Sequence, residues 1–346
     1  MIPAAFSAKS ATTGIREVAR MIEAGRPLIL AGAEQDLACL PPGLWIGGTV
    51  AGFLAPGGPR PVAGEIFYAD LSNIALRVEV RQFGARQLRG LTAHYPPNGF
   101  AVLLLPGRSR LLETVATKML DWDGLYNAPL CGWVSGVALE ELGHKQPKIF
   151  CGGGTPRQDK AAVMYVTLPE GLFAELNIVA PFTQGEGPEL RFPSGGYGGS
   201  GTGLLEGQRV NLARMIANGE LDPALPLISD RDGALLTNAI TASDTEAGTL
   251  CFLNPIDPAL SYRFAEPIDD FPAAFAKAAQ GVDLPGALLC SICIANLPRL
   301  DASIRPLLPA FAPITFGQIG YTVLTQTISC LNLSRLDGAL TEQDTR

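Results

Sequence analysis

GEIFYADLSNIALRVEV at residues 64–80 and AAVMYVTLPEGLFAELNIV at residues 161–179 follow one pattern: an apolar run, a tight turn and a second apolar run. A glycine turn precedes each, LWIGGT (44–49) in the first case and KIFCGGGT (148–155) in the second. Runs of this length, rich in β-branched and aromatic residues and bounded by turn formers, read as strands. The likeness fits a diverged duplication, and it equally fits two hairpins that share turn chemistry. Between them, FAVLLLPG (100–107) reads as a buried strand and SRLLETVATKMLDW (109–122) as the helix that follows it. Upstream, TGIREVARMIEAG (13–25) places Ile15, Val18, Ala19 and Ile22 on one helical face, with Thr13 as N-cap and Gly25 as stop. It feeds the apolar strand PLILAG (27–32). Strands and helices interleaved in this way define a mixed α/β fold with strand-dominated cores and flanking helices.

Working outward, PSGGYGGSGTGLLEG (193–207) holds seven glycines and reads as a linker or loop. Beyond it come a helix (QRVNLARMIANG), an apolar strand (ALPLIS) and the pair GALLTNAI and GTLCFLNPI. A helix (DFPAAFAKAAQG), a buried strand (GALLCSICIA) and the pair APITFGQIG and VLTQTISCLNLS complete this half. At roughly 150 residues per domain, 346 residues suggest two modules. The expected division is 1–192, a glycine-rich connector at 193–207, and 208–346.

Hydrophobic residues make up 47% of the chain and charged residues 17%, a balance that folds rather than solvates. The net charge of −7, with no cluster of Lys and Arg, argues against a nucleic-acid partner. The first residues lack a continuous apolar run and Pro27 to Gly32 is too short to span a bilayer, so a cytoplasmic protein without a membrane partner is expected. Seven cysteines (39, 131, 151, 251, 290, 293 and 330) in a chain this long read as reduced, buried thiols.

Motifs that carry chemistry are scarce. The only histidines are His94 and His144, too few to build a metal site, and Cys290-Ser-Ile-Cys293 lies in a strand pattern that sends its two thiols to opposite faces. No GxSxG, no P-loop and no GxGxxG opening a helix occurs, and no cofactor is implied. The glycine turns are the better candidates. Gly47, Gly48 and Thr49, together with Gly152, Gly153 and Gly154, follow apolar runs where bare backbone N–H groups can approach a ligand; tight-turn geometry alone explains them as well. Trp45 and Trp133 stand beside such glycines, with Cys131 next to the second, either as cleft walls or as core residues.

With these segments located, the sequence resembles the FIST family of bacterial sensory domains, or a FIST-related group. The likeness is spread over residues 40–335. It is carried by LWIGGTVAGFL and GEIFYADL, by FAVLLLPG with its helix, by PLCGWVSG and AAVMYVTLPEG, and by ALPLISDRDGALLTNAI, GTLCFLNPI, GALLCSICIANLPRL and ITFGQIGYTVLTQTISCLNLS. In the last of these, Gln318 stands where the family usually shows an acidic residue. The resemblance implies an N-terminal and a C-terminal module that sense a small polar metabolite such as an amino acid and signal through a protein partner. The implied site combines the glycine turns, Trp45, Trp133, Cys131 and Gln318. Two other functions compete: a cysteine enzyme using Cys131 or Cys151 with His144, and a haem-based gas sensor using His94 or His144.

Overall fold

The computed structural model describes residues 9–335 and contains 18% helix and 42% strand, a mixed α/β fold. Three successive stretches of chain fold to one plan. In the first, β1 (Lys9–Gly14) leads through α1 (Ile15–Glu23) to β2 (Leu28–Gly32), α2 (Glu34–Ala38) and β3 (Trp45–Thr49). A short strand β4 (Gly52–Ala55) with its hairpin partner β5 (Gly58–Arg60) follows, then the return strand β6 (Glu65–Asp70). The second stretch repeats this with β7 (Arg77–Phe83), a 3-10 segment (Leu88–His94), β8 (Gly99–Pro106), α3 (Arg110–Val115), β9 (Leu130–Ser135), the short β10 (Ile149–Cys151) and the return strand β11 (Ala161–Thr167).

The third opens with β12 (Leu172–Val179) and is interrupted by an insertion, residues 180–288. The insertion holds β13 (Leu190–Arg191), β14 (Gly196–Ser200), β15 (Thr202–Leu205), β16 (Gln208–Asn211), α4 (Leu212–Ala217) and β17 (Leu227–Arg231). It continues with β18 (Ala234–Asn238), β19 (Ile240–Asp244), β20 (Thr249–Ile256), β21 (Arg263–Phe264) and α5 (Phe271–Ala278). Then the plan resumes with β22 (Leu289–Cys293), a 3-10 segment (Ile294–Arg299), β23 (Ala312–Thr315), the short β24 (Gly317–Gly320) with its hairpin partner β25 (Thr322–Leu324), and the return strand β26 (Ile328–Arg335).

Three large sheets result, ordered β1-β6-β2-β3-β10, β7-β11-β8-β9-β24-β25 and β12-β26-β22-β23-β4-β5. Each has one parallel pair at its centre: β2 with β3, β8 with β9, and β22 with β23. Each short strand leaves its own stretch to finish another sheet. β4 pairs with β23, β10 with β3, and β24 with β9, so the exchange runs once around all three and closes.

The central strands, such as β2, β8, β9 and β22, are buried on both faces, which is why they read as unbroken apolar runs. Ile29, Ala31, Phe100, Val102, Leu104, Leu289 and Leu331 meet in one shared core. The alternate residues face outward under separate layers. Leu28, Leu30 and Trp45 pack beneath α1, Ala101, Leu103 and Leu105 beneath α3, and Ile292, Ile328 and Leu54 against Phe275 of α5.

Several expectations are corrected here. The glycine-rich stretch 193–207 connects no two modules; it forms β14 and β15, which pair with β20 and with β13 and β16. A division at that point cuts two of the large sheets, because β24 and β25 join strands from the first half while β4, β5 and β12 join strands from the second. The likeness of 64–80 to 161–179 is real, since both are a return strand followed by the opening strand of the next repeat, but the repeat is threefold. LWIGGT and KIFCGGGT are not equivalent within it: WIGGT is β3, the counterpart of β9, whereas IFC is β10, the counterpart of β4. Thr13 lies in β1, and Gly14 stands at the N-cap of α1. Cys290 and Cys330 face each other across β22 and β26 with Cα atoms 4.3 Å apart and form a disulfide, leaving Cys39, Cys131, Cys151, Cys251 and Cys293 as free thiols.

Candidate functional site

The residues singled out in the sequence separate into two places. Gly48, Cys131, Trp133 and Gln318 come together on the inward face where β3, β9 and β24 meet. Gln318 stands opposite Trp133 in register, and a Cβ at Gly48 would collide with Ser135 Oγ and lie 3.1 Å from Trp133 Nε1. Gly48 is therefore glycine because β9 approaches it so closely. All four are buried, and they form core rather than a cleft. Thr49 ends β3 with its Oγ1 accepting from Lys148 N at 2.9 Å, and Gly47 packs against Leu30 and the outward ring of Trp45.

Trp45 belongs to the outer layer: its ring stacks on Phe150 at 6.3 Å and its Nε1 donates to Pro41 O at 2.9 Å. Gly152 is held at that same end, donating to Trp45 O at 2.7 Å and accepting from Gly43 N at 3.2 Å, with Gly153 and Gly154 beyond it. Because β10 runs antiparallel to β3, with Ile149 opposite Gly48 and Cys151 opposite Ile46, Gly47 and Gly48 lie inside a strand rather than in a turn, and Gly152 sits level with Trp45, roughly 7 to 10 Å away along the strand at about 3.3 Å per residue. The expected convergence of the two glycine turns on one edge does not occur.

The cysteine–histidine pairing finds no support. Cys131 is fully buried, its thiol contacts Ala101 O at 3.7 Å, and burial pushes it up to about 12. Burial likewise pushes Cys151 up to about 11, and a thiol so raised stays protonated and is a poor nucleophile at neutral pH. His144 is exposed. His94 packs between Phe83 and Tyr165, with ring centroids 6.0 and 5.8 Å away, and its Nε2 lies 3.3 Å from Arg81.

A cleft that the sequence reading missed opens where the insertion meets the core. Thr237 and Asn238 of β18, Asn254 and Pro255 of β20, and Asp257 and Tyr262 line it from the insertion; Thr117 beyond α3 and Thr322 and Val323 of β25 line it from the core. It encloses about 40 Å³, room for roughly three water-sized groups.

At its wall stands Asn254, 4% exposed, with neither Oδ1 nor Nδ2 hydrogen-bonded. Its backbone is fixed by Asn238, whose Nδ2 donates to Asn254 O at 2.8 Å and whose Oδ1 accepts from Asn254 N at 3.1 Å. Gly317 of β24 stands beside the amide, where a Cβ would come within 3.0 Å of Nδ2. A buried amide bonded on neither side is costly in a finished core and useful in a binding site.

Other unpartnered polar atoms cluster in the adjoining crossing from β25 to β26. Thr325 Oγ1 and Gln326 Oε1 are among them, and Asn296 Oδ1 faces the same crossing, its Nδ2 donating to Thr327 O at 3.1 Å. Gln326 holds a left-handed backbone, φ 52°, as does Tyr321 at φ 61°, the kind of local strain that collects at functional sites. Thr237 ties this crossing to the cleft, its Oγ1 donating to Thr325 O at 2.6 Å and accepting from Thr325 N at 3.1 Å.

Asp257 is the one charged residue among those lining the cleft. Arg231 reaches the rim, where its donors engage Thr117 O at 2.6 Å and both oxygens of Asp121 at 2.7 and 2.8 Å. Burial pushes the Tyr262 hydroxyl up to about 12, so it stays a donor, and it bonds to Asp257 O at 3.2 Å. Such a set offers hydrogen-bonding groups to the cleft. Among the described residues no group of three or more His, Cys, Asp or Glu could hold a metal ion, and no helix is long and apolar enough to cross a membrane.

A mixed α/β chain of three strand-exchanging repeats, with a polar cleft under an insertion, is the class that fold and site define. The chain belongs to DUF6976, a family of unknown function, whose model matches residues 13–334. No curated protein matches it.

Proposed function

We propose that this protein binds a small polar metabolite such as an amino acid at the cleft between the insertion and the core, which takes one of its end groups, and acts as a sensory module. One observation carries this reading: where the insertion meets the core, Thr117, Thr237, Asn238, Asn254, Tyr262 and Thr322 line one cleft with polar side chains. The FIST resemblance supports it with the same ligand class. A cytoplasmic setting and a signalling protein as partner belong to the same proposal. The insertion and the β24–β25 hairpin contact each other at this cleft, so occupancy would be felt by both and could be read by that partner.

The test is thermal unfolding against the common L-amino acids and their amides, each at millimolar concentration. A ligand at about a hundred times its dissociation constant stabilises by about 2.7 kcal/mol and raises the midpoint by a few degrees. Asn254→Leu, close in shape but unable to hydrogen-bond, is expected to abolish that shift while raising the midpoint of the free protein, since it removes a buried unpaired amide. A panel without any response, or a response kept in full by Asn254→Leu, would overturn the proposal.

A further inference from the structure

The part of the insertion that lines the cleft is a body of its own, and we infer that residues 190–264 are a lid that swings away from the core on a two-stranded neck. The inference deepens the binding reading above, whose purpose it serves, while its geometry stands without it. Leu190, Phe192, Leu212, Leu227, Phe252 and Tyr262 form a separate apolar cluster, so this part keeps its own core when it moves. It leaves and rejoins the chain through one ribbon. There Gly185 N donates to Phe264 O at 3.0 Å, Glu266 N to Thr183 O at 2.9 Å, and Leu190 and Tyr262 exchange two bonds of 2.8 Å. Gly187 lies in this ribbon with nothing within 4 Å of where a Cβ would stand, the kind of small, unpacked position that absorbs a hinge rotation. Beyond the neck, α5 anchors the base, since Phe275 and Leu284 pack with Leu54, Ile292 and Ile328.

The seam between lid and core is fastened by bonds that water can replace. Arg108 Nη1 donates to Phe252 O at 2.9 Å. Arg299 Nη2 and Gln326 Nε2 both donate to Ala224 O, at 2.7 and 3.1 Å, and Arg231 engages Thr117 O and Asp121. Each such bond contributes modestly, because water serves both of its partners in the open form. Apolar contact across the seam comes from Tyr197, Ala239 and Leu253, which join the cluster of Leu105, Val134 and Phe316. Against that contact stand the unpartnered atoms of the same seam: Asn254 Oδ1 and Nδ2 on the lid, and Thr325 Oγ1 and Gln326 Oε1 on the core. Their burial costs the closed form and is relieved when the seam is wetted. Opening is therefore a local event that lies well below unfolding of the whole chain.

Size points the same way. About 40 Å³ holds roughly three water-sized groups, which is an end group and not a whole amino acid. A ligand of that class enters with the seam open, and closure then leaves its end group enclosed. Thr237 and Tyr262 from the lid meet Thr117 and Thr322 from the core around one cleft, so the closed form is the one such a ligand favours.

Alkylation of the whole protein by N-ethylmaleimide, read cysteine by cysteine by mass spectrometry, tests this with thiols the chain already carries. Cys293 is fully buried, and the backbones of Gln326 and Ala295 hydrogen-bond its thiol directly beneath the seam. Burial pushes that thiol up to about 11, so it reacts only when the seam opens. Cys131 is buried as well but belongs to the core shared by the sheets, and it reports unfolding of the whole chain. Exposed Cys39 is expected to react at once, and Cys293 at least about tenfold faster than Cys131. Arg231→Ala, and independently Asp121→Ala, is expected to speed Cys293 by about tenfold, the order lost with one charge-assisted hydrogen bond, with the rate at Cys131 unchanged. Equal rates at Cys293 and Cys131, or a Cys293 rate indifferent to both variants, would overturn the lid and leave the binding proposal standing. Opening at Cys293 in a protein that responds to no amino acid would remove the binding proposal and leave the lid.

Discussion

Gln318 occupies the position at which the FIST resemblance leads one to expect an acid, and its surroundings explain why an amide stands there. It is 0% exposed. With its amide turned so that both ends are satisfied, Nε2 donates to Thr327 O at 3.1 Å and Oε1 accepts from Cys293 N at 2.7 Å and from Thr315 Oγ1 at 3.0 Å. A carboxylate accepts the latter two bonds but cannot donate the first, and it would be buried without a cation. Gln318→Glu is therefore expected to hold its new carboxyl protonated in the fold, with its folded-state value raised above the ordinary one of about 4.3. A raised acid contributes its full share of stability below the unfolded value and loses it as pH rises. The variant should unfold in urea close to the original protein at about pH 4 and fall behind by about 3 kcal/mol at neutral pH. Urea midpoints with the same pH dependence in both proteins would show that the site is open to solvent. Gln318 was thus legible as an unusual residue, and in the fold it is buried and holds the crossing through these hydrogen bonds. Asn254 gave a fainter signal: one asparagine inside the apolar strand GTLCFLNPI, whose significance depends on Asn238 standing opposite and Gly317 arriving from the far end of the chain.

Elements show the same division between what a local pattern contains and what only assembly supplies. FAVLLLPG and the LLCSIC run were legible as buried strands because both of their faces are covered. The helix expected over 109–122 instead spans only Arg110–Val115, followed by a 3-10 turn at Met119–Asp121. The helix expected from 208 begins at Leu212, because residues 208–211 are taken up as β16. The exchanged strands β4, β10 and β24 have only three or four residues, too few for any periodicity to register, and their partners lie in other repeats. Short α3 nonetheless carries one strong local device. Ser109 Oγ accepts from Leu112 N at 3.1 Å and donates to Pro106 O at 2.6 Å, so it caps the helix and ties it back to β8. Ser109→Ala is expected to cost about 1 kcal/mol, a fall of roughly 2 °C in the melting midpoint for a chain this large. Since the helix leads into Ala116 and Thr117 at the cleft, the same variant should weaken the ligand-induced shift. An unchanged midpoint would mean that the cap is dispensable.

At the scale of the molecule, the closed exchange of strands decides how the chain can be divided. β12 pairs along its whole length, Leu172 to Val179, with β26. β4 finishes the sheet of β23, and β24 finishes the sheet of β9. A cut in the glycine-rich region therefore leaves the first part without the strand that covers β12 and the second part without β4 and β12, with apolar faces exposed on both. The turn at Glu206 and Gly207 is exposed, and both residues have left-handed backbones, so a break there disturbs little in itself. Fragments 1–206 and 207–346 expressed separately are expected to aggregate or to melt without cooperativity. Expressed together, they are expected to copurify in equal amounts and melt as one unit, because each holds the strands the other lacks. The joined fragments should also keep the ligand response, since the cleft draws Thr117 from the first and Asn254 from the second. Two fragments that are each soluble and each melt cooperatively alone would show that the strand exchange is not what holds the halves together, and the cleft that depends on their union would lose its structural basis.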